Sequence, residues 1–154
     1  MKKLINLFGA FALLLAMAVS TVSCDKEDNQ ADKDYGLIGK WKTVRLDYSL
    51  YVNGNLEDED TEDCTEEYGI FTFNEDGKGT VKYVDVEYGD SDIENFTWTR
   101  NGNILKILFY EQEELMQCEI LKLEATTMEL SIEEEYDYDG TFYKYVEVAV
   151  LERI

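Results

Sequence analysis

The chain of 154 residues contains no histidine, three cysteines and 34 Asp and Glu side chains, and this inventory sets the chemistry open to it. Without an imidazole, His-based catalytic triads and histidine-ligated zinc or haem sites are excluded. Cys64 or Cys118 as a nucleophile would lack its usual imidazole base. Paired carboxylates could hydrolyse glycosides, but among 34 acids a suitably spaced pair arises by chance, and no spacing singles one out. No catalytic residue is expected, and an enzyme is not expected. The runs Glu57-Asp58-Glu59-Asp60 and Asp137-Tyr138-Asp139-Gly140 offer oxygen ligands for calcium. Neither follows the calcium-loop pattern with its closing Glu, so both read as solvated charge runs, and no metal or cofactor is expected.

Cys24 is the one thiol whose surroundings assign it a reaction. Lys2 and Lys3 precede an apolar run over residues 4–19, interrupted only by Asn6, and Ser20 to Ser23 form a small, mildly polar segment before Cys24. That is the layout of a secretory signal peptide over residues 1–23. A membrane-spanning anchor needs roughly 20 predominantly apolar residues; this run is short, with positive charge on one flank and acids on the other. Val22-Ser23-Cys24 resembles a lipobox, relaxed in having Thr21 where leucine is usual. Its chemistry requires a thiol to form the diacylglycerol thioether and small residues before it to fit the peptidase. Several acyl chains, at about 0.8 kcal/mol per buried methylene, anchor far better than one. Lipid attachment at Cys24 is therefore expected, and a membrane is the first expected partner.

Cys64 and Cys118 then remain as an even pair. In an oxidising compartment they could form a disulfide, worth roughly 4 kcal/mol in the chain-entropy model. They could equally be a buried small hydrophobe at Cys118 and an exposed thiol at Cys64, and spacing does not decide. Charge is more decisive. Loss of Lys2 and Lys3 from 14 basic residues leaves 12 against 34 acids, a net charge of −22. That argues against nucleic acid, whose binding rests on neutralising phosphates with Lys and Arg, and against anionic headgroups beyond the anchor.

The elements that would position any site are strands. Residues 24–36 are polar and acidic, with too little apolar surface to fold, and read as a flexible tether. The folded domain is expected over 37–154. Proline is absent, and Gly, Asn and Asp mark the turns. Strands are expected at 39–51, 68–73, 79–88, 93–100, 104–110, 115–123, 128–138 and 141–152, with a long acidic loop at 53–67. Asn74-Glu75-Asp76-Gly77, Asn101-Gly102 and Asp139-Gly140 supply hairpin turns. Residues 111–124 are rich in helix formers, yet Met116, Cys118 and Ile120 also fit period two. A lone helix would interrupt a continuous meander, so a strand is expected there. Eight antiparallel strands in sequence remove their exposed edges by closing into an up-and-down barrel, just wide enough for packed side chains or one small ligand.

Leu37-Ile38-Gly39-Lys40-Trp41 resembles the Gly-x-Trp opening of the lipocalins. The pattern continues in Phe71-Thr72-Phe73-Asn74-Glu75-Asp76-Gly77, in Phe96-Thr97-Trp98 and in the stretch from Ile120 to Leu130. In this order the segments resemble the small lipid-anchored lipocalin-like domains of Gram-negative bacteria, over residues 37–154. The resemblance implies an all-β, eight-stranded meander barrel whose tryptophan, Trp41, closes the base under an arginine, for which Arg153 is the candidate. The chain lacks the Thr-Asp-Tyr motif of the secreted lipocalins, so the resemblance does not extend to their retinoid and haem ligands. The Lys26-Glu27-Asp28 run beside Cys24 resembles an export signal of one Gram-negative phylum. It implies an outer-membrane lipoprotein at the cell surface, with a periplasmic face as the alternative.

Two uses of the aromatic residues follow. Phe71, Phe73, Val84, Phe96, Trp98, Ile107 and Met116 could line a cavity for a small apolar ligand, or fill the barrel solid. Tyr136, Tyr138, Tyr143 and Tyr145 could form an exposed contact surface or simply pair across a hairpin. The leading expectation is a lipid-anchored binding module with a small apolar molecule in the barrel. The alternative is a surface interaction or inhibitor module, with a packed barrel and working loops at 53–67 and 136–143.

Overall fold

The computed structural model describes residues 36–154 apart from residue 112. The leader, the lipid site at Cys24 and nearly all of the expected tether lie outside the described residues. Nine strands follow one another: β1 (Gly39–Val52), β2 (Asn55–Asp63), β3 (Glu67–Phe73), β4 (Lys78–Asp85), β5 (Asp90–Asn101), β6 (Ile104–Phe109), β7 (Leu115–Leu123), β8 (Thr127–Tyr138) and β9 (Thr141–Arg153). Every pairing is antiparallel between neighbours, and β1 with β9 closes the ring. β2 and β3 lie on the same edge of β1 and occupy one place in that ring, so the expected eight-stranded meander barrel is what the chain builds.

Segment 53–67, expected as a loop, is instead a strand and a bulge. β9 holds one edge of β1 along its length, so β2 and β3 share the other. β3 pairs with Gly39–Lys42 and β2 with Arg45–Val52. Together they form one descending strand, broken at Cys64–Glu66. Every residue of β2 is exposed, which is why no alternation of apolar residues announced it. Backbone pairing with β1 holds it, and its acids blunt its other edge against further pairing. β7 adopts the strand expected from Met116, Cys118 and Ile120 despite its helix-forming composition.

The core explains the turn chemistry. Phe73, Phe96 and Trp98 project inward from β3 and β5, and a Cβ on Gly79 would lie 2.2 Å from the Phe96 ring and 2.5 Å from the Thr72 carbonyl oxygen. Glycine is therefore required where the β3–β4 hairpin meets the ring of Phe96. At Gly77, φ of 74° makes the tight turn, and its carbonyl accepts from the Trp98 amide at 2.8 Å. Burying such side chains contributes about 1.5–3 kcal/mol each.

The base is closed by Trp41 and Arg153. The Arg153 guanidinium lies 4.2 Å from the indole centroid and donates to the carbonyls of Gly36, Ile38 and Ala125. The Trp41 Nε1–H donates to the Leu37 carbonyl at 2.7 Å. Gly39, at φ 133°, leaves the room Arg153 needs, since a Cβ there would meet Nη1 at 2.6 Å.

Of the two alternatives left open for Cys64 and Cys118, the bridge is not formed: both cysteines are buried and free. Cys118 is on β7 and Cys64 joins β2 to β3, with β8, β9 and β1 between them in the wall. Strands about 4.8 Å apart place the pair beyond the roughly 7 Å Cα separation a disulfide can span.

Candidate binding site at the open end of the barrel

Of the residues expected to line a cavity, Phe71, Phe73, Phe96, Trp98 and Ile107 are buried in the core, and Met116 packs against it. They fill space rather than enclose it. Phe73 lies 5.4 Å from Phe96 and 5.7 Å edge-on from Trp98, while Phe96 meets Phe109 at 5.7 Å. Val84 is a correction. Val81 is wholly buried, β4 pairs with β3 without a bulge, and side chains alternate along a strand. Val84 therefore lies on the outer face, opposite Val81 and Tyr83. A Val beside charged residues does not reveal which face the barrel has used.

Above this aromatic layer the inward positions become polar. Glu94 stands on β5 two residues beyond Phe96 and opposite Val81 of β4. It is 6% exposed, and its Oε1 has no hydrogen-bond partner among the described residues. On β9, Glu147 precedes Ala149 by two residues in the same inward phase and pairs with Ile132 of β8 and Tyr48 of β1. Its Oε1 and the Tyr48 hydroxyl are likewise buried without partners among the described residues. In the ring β5 and β9 are separated by three strands in either direction, so Glu94 and Glu147 stand on opposite walls of the barrel.

These groups feel their burial. Desolvation, reinforced by Glu62, pushes the Glu147 carboxyl up to about 7. Desolvation first, then Glu111, Asp92 and Glu114, raises that of Glu94. Tyr48 is held above its ordinary value by desolvation and by Glu147. Burial, with Glu62 and Asp63, pushes the Cys64 thiol up to about 11, and burial alone pushes Cys118 up to about 12. Neither is poised as a nucleophile, because the reactive form is the thiolate. Among the described residues no group of three or more Cys, Asp or Glu could hold a metal ion.

The rim carries the tyrosines. Tyr136 stacks on Tyr143 at 5.0 Å and on Tyr145 at 6.0 Å, which are the cross-strand contacts of the β8–β9 hairpin. Tyr138, at the tip, is exposed. Asn53 ties the β1–β2 turn to this hairpin, donating its amide to the Phe142 carbonyl at 2.8 Å and accepting from the Phe142 amide on Oδ1 at 3.1 Å. An open groove of about 320 Å³ runs along the outer face here, between Tyr51, Glu133, Phe142 and Lys144.

A sequence profile of the lipocalin-like domain matches residues 37–130. The chain belongs to the lipocalin-like family. The match begins at Leu37, just before the Gly-x-Trp segment, and ends within β8 of the barrel. A lipocalin-like protein from Bacteroides uniformis has a similar fold, with a TM-score of 0.54 at 14% identity, covering 77% of this chain and 99% of its own. An uncharacterized protein from Bacteroides eggerthii aligns over 76% of this chain and 98% of its own, at 13% identity and a TM-score of 0.45. None of the curated proteins matches the chain.

The polar residues of the mouth escaped the sequence reading. Glu94 and Glu147 sit in the same phase as Phe96 and Trp98 or Ala149 and Leu151. A charged residue on the apolar phase of a strand was the available signal. On β5 it was masked because Asp90 and Asp92 share the phase of Glu94, so the three acids together read as a solvated charge run.

Proposed function

We propose that this lipocalin-like protein is a lipid-anchored binding module, held at the outer membrane through Cys24, that takes a small molecule at the open end of its barrel. One observation carries the binding reading. Unpartnered polar atoms of Tyr48, Glu94 and Glu147 face the interior above a closely packed aromatic layer. Buried polar groups are nearly always paired, so such a ring calls for a bound molecule to complete it. The apolar body of the ligand would rest on the aromatic layer, with its polar end among these three groups. The ligand thus sits higher than a cup made by Phe71 to Met116 would hold it.

Native mass spectrometry of the protein purified in detergent from its own host tests this reading. A bound small molecule released on denaturation is the expected result; a clean apo mass overturns it. The anchor rests on the leader and Val22-Ser23-Cys24. Cys24→Ala should give an unprocessed precursor that takes up no labelled fatty acid, and normal labelling would remove the lipoprotein reading.

A protein-contact role is the second reading, favoured by the partly exposed Tyr136 and Tyr145 on the rim. Tyr136→Ser with Tyr145→Ser would then abolish partner capture and leave the ligand mass unchanged.

A further inference from the structure

We infer that the molecule taken at the barrel mouth is a small organic amine, held as its cation between Glu94 and Glu147, with Tyr48 as a third hydrogen-bond partner. The inference rests on the binding reading above and adds the class of ligand.

The argument begins with what the unpartnered atoms can accept. Two are carboxylate oxygens and one is a hydroxyl. Without a ligand, burial favours the neutral acids. A bound cation draws a carboxyl to its ionised form, which only accepts, while a tyrosine hydroxyl both accepts and donates. The complementary group is therefore a donor with several N–H bonds. An ammonium or guanidinium meets that demand and an anion does not. Charge points the same way. Every charged neighbour that acts on Glu94 or Glu147 is itself an acid: Glu111, Asp92 and Glu114 for the first, Glu62 for the second. A buried carboxylate among acids is costly unless a cation joins it. No group of three or more potential metal ligands occurs among the described residues, which favours an organic cation over a metal ion.

The surroundings set the rest of the ligand. Phe96 lies two residues below Glu94 on the same face of β5, and the aromatic layer continues through Phe73 and Trp98. An apolar or aromatic body would settle there, and an aromatic face also attracts cations. The interior of an eight-stranded barrel accommodates one small ligand. Glu94 and Glu147 stand on opposite walls of that interior, and a diamine or an amine with an extended body is the shape that would lie between them.

Calorimetric titration of the full chain in detergent would use three probes: 2-phenylethylamine, 1,4-diaminobutane and 3-phenylpropanoate. The expected ranking on the unaltered protein has at least one amine binding, while the carboxylate of similar shape does not. Glu94→Gln and Glu147→Gln should each weaken amine binding about tenfold or more, and Tyr48→Phe should weaken it less. Near-ultraviolet circular dichroism checks that each variant keeps its packing. Should a variant unfold, the probe ranking on the unaltered protein still decides. Equal binding of 3-phenylpropanoate, or amine binding unchanged in both Gln variants, would overturn the amine assignment. Calcium binding that displaces the amine from these residues would overturn it too. The two readings fail separately: a copurified ligand without an amine leaves the binding module standing, whereas an apo mass together with no probe binding removes both.

Discussion

At the scale of single residues, Glu147 shows how a barrel wall sets the behaviour of a side chain. On β9 it sits opposite Tyr48 of β1 and Ile132 of β8, with Glu62 nearby, and desolvation moves its carboxyl from 4.5 to about 7. A carboxyl whose folded value is raised contributes stability that is complete below the unfolded value and is lost as pH rises through the folded one. The window is therefore about pH 4.5 to 7, and a shift of this size corresponds to about 3 kcal/mol. Urea midpoints of the unaltered protein should fall between about pH 5 and about pH 8. In Glu147→Gln most of that fall should disappear; an identical slope in the two proteins would show that Glu147 does not titrate in this range. The acidity of the whole chain contributes to the slope as well, so the difference between the two proteins is the quantity to read.

Elements divide by which face they bury. β3 and β6 alternate cleanly between inward and outward positions, and their phase could be read from Phe71 and Phe73 or from Leu105 and Ile107. β4 is different, because Val81 and Val84 have opposite parity and only one can face the core. Val81 pairs with the buried Phe71 and is itself wholly buried, which settles it for Val81. Val81→Thr should destabilise the fold by about 1–3 kcal/mol, the cost of a buried hydroxyl, and Val84→Thr by less than about 1 kcal/mol. Chemical denaturation of both variants checks the assignment, and equal losses would put Val84 inside. β1 adds a second lesson. A bulge between Thr43 and Arg45 shifts its phase, so that Trp41 and Thr43 below the bulge and Leu46 above it are all buried. Period two along the whole strand would have put Leu46 and Trp41 on opposite faces. β2 was invisible for a simpler reason: it buries nothing, and its pairing is a property of the backbone.

For the whole molecule, the base seam joins segments far apart in the chain. Arg153 reaches Ile38 at 2.8 Å and Ala125 at 2.7 Å while covering Trp41. Arg153→Lys keeps the charge but loses the planar fork that serves several carbonyls at once. It should lower stability by about 2–4 kcal/mol, with the loss seen in thermal unfolding; an unchanged midpoint would mean the seam holds without the guanidinium. By themselves, the residues determined the all-β meander, most of its turns and the strand character of β7, because alternation and turn chemistry are local; the pairing of Trp41 with Arg153 at the base was legible only through the family resemblance. The tertiary structure decided the acidic strand β2, the separation of Cys64 from Cys118, the outward face of Val84 and the polar mouth at Tyr48, Glu94 and Glu147. Each of these depends on which residues meet across strands or across the barrel, and closure of the ring sets those meetings, leaving no trace in the order of neighbours along the chain.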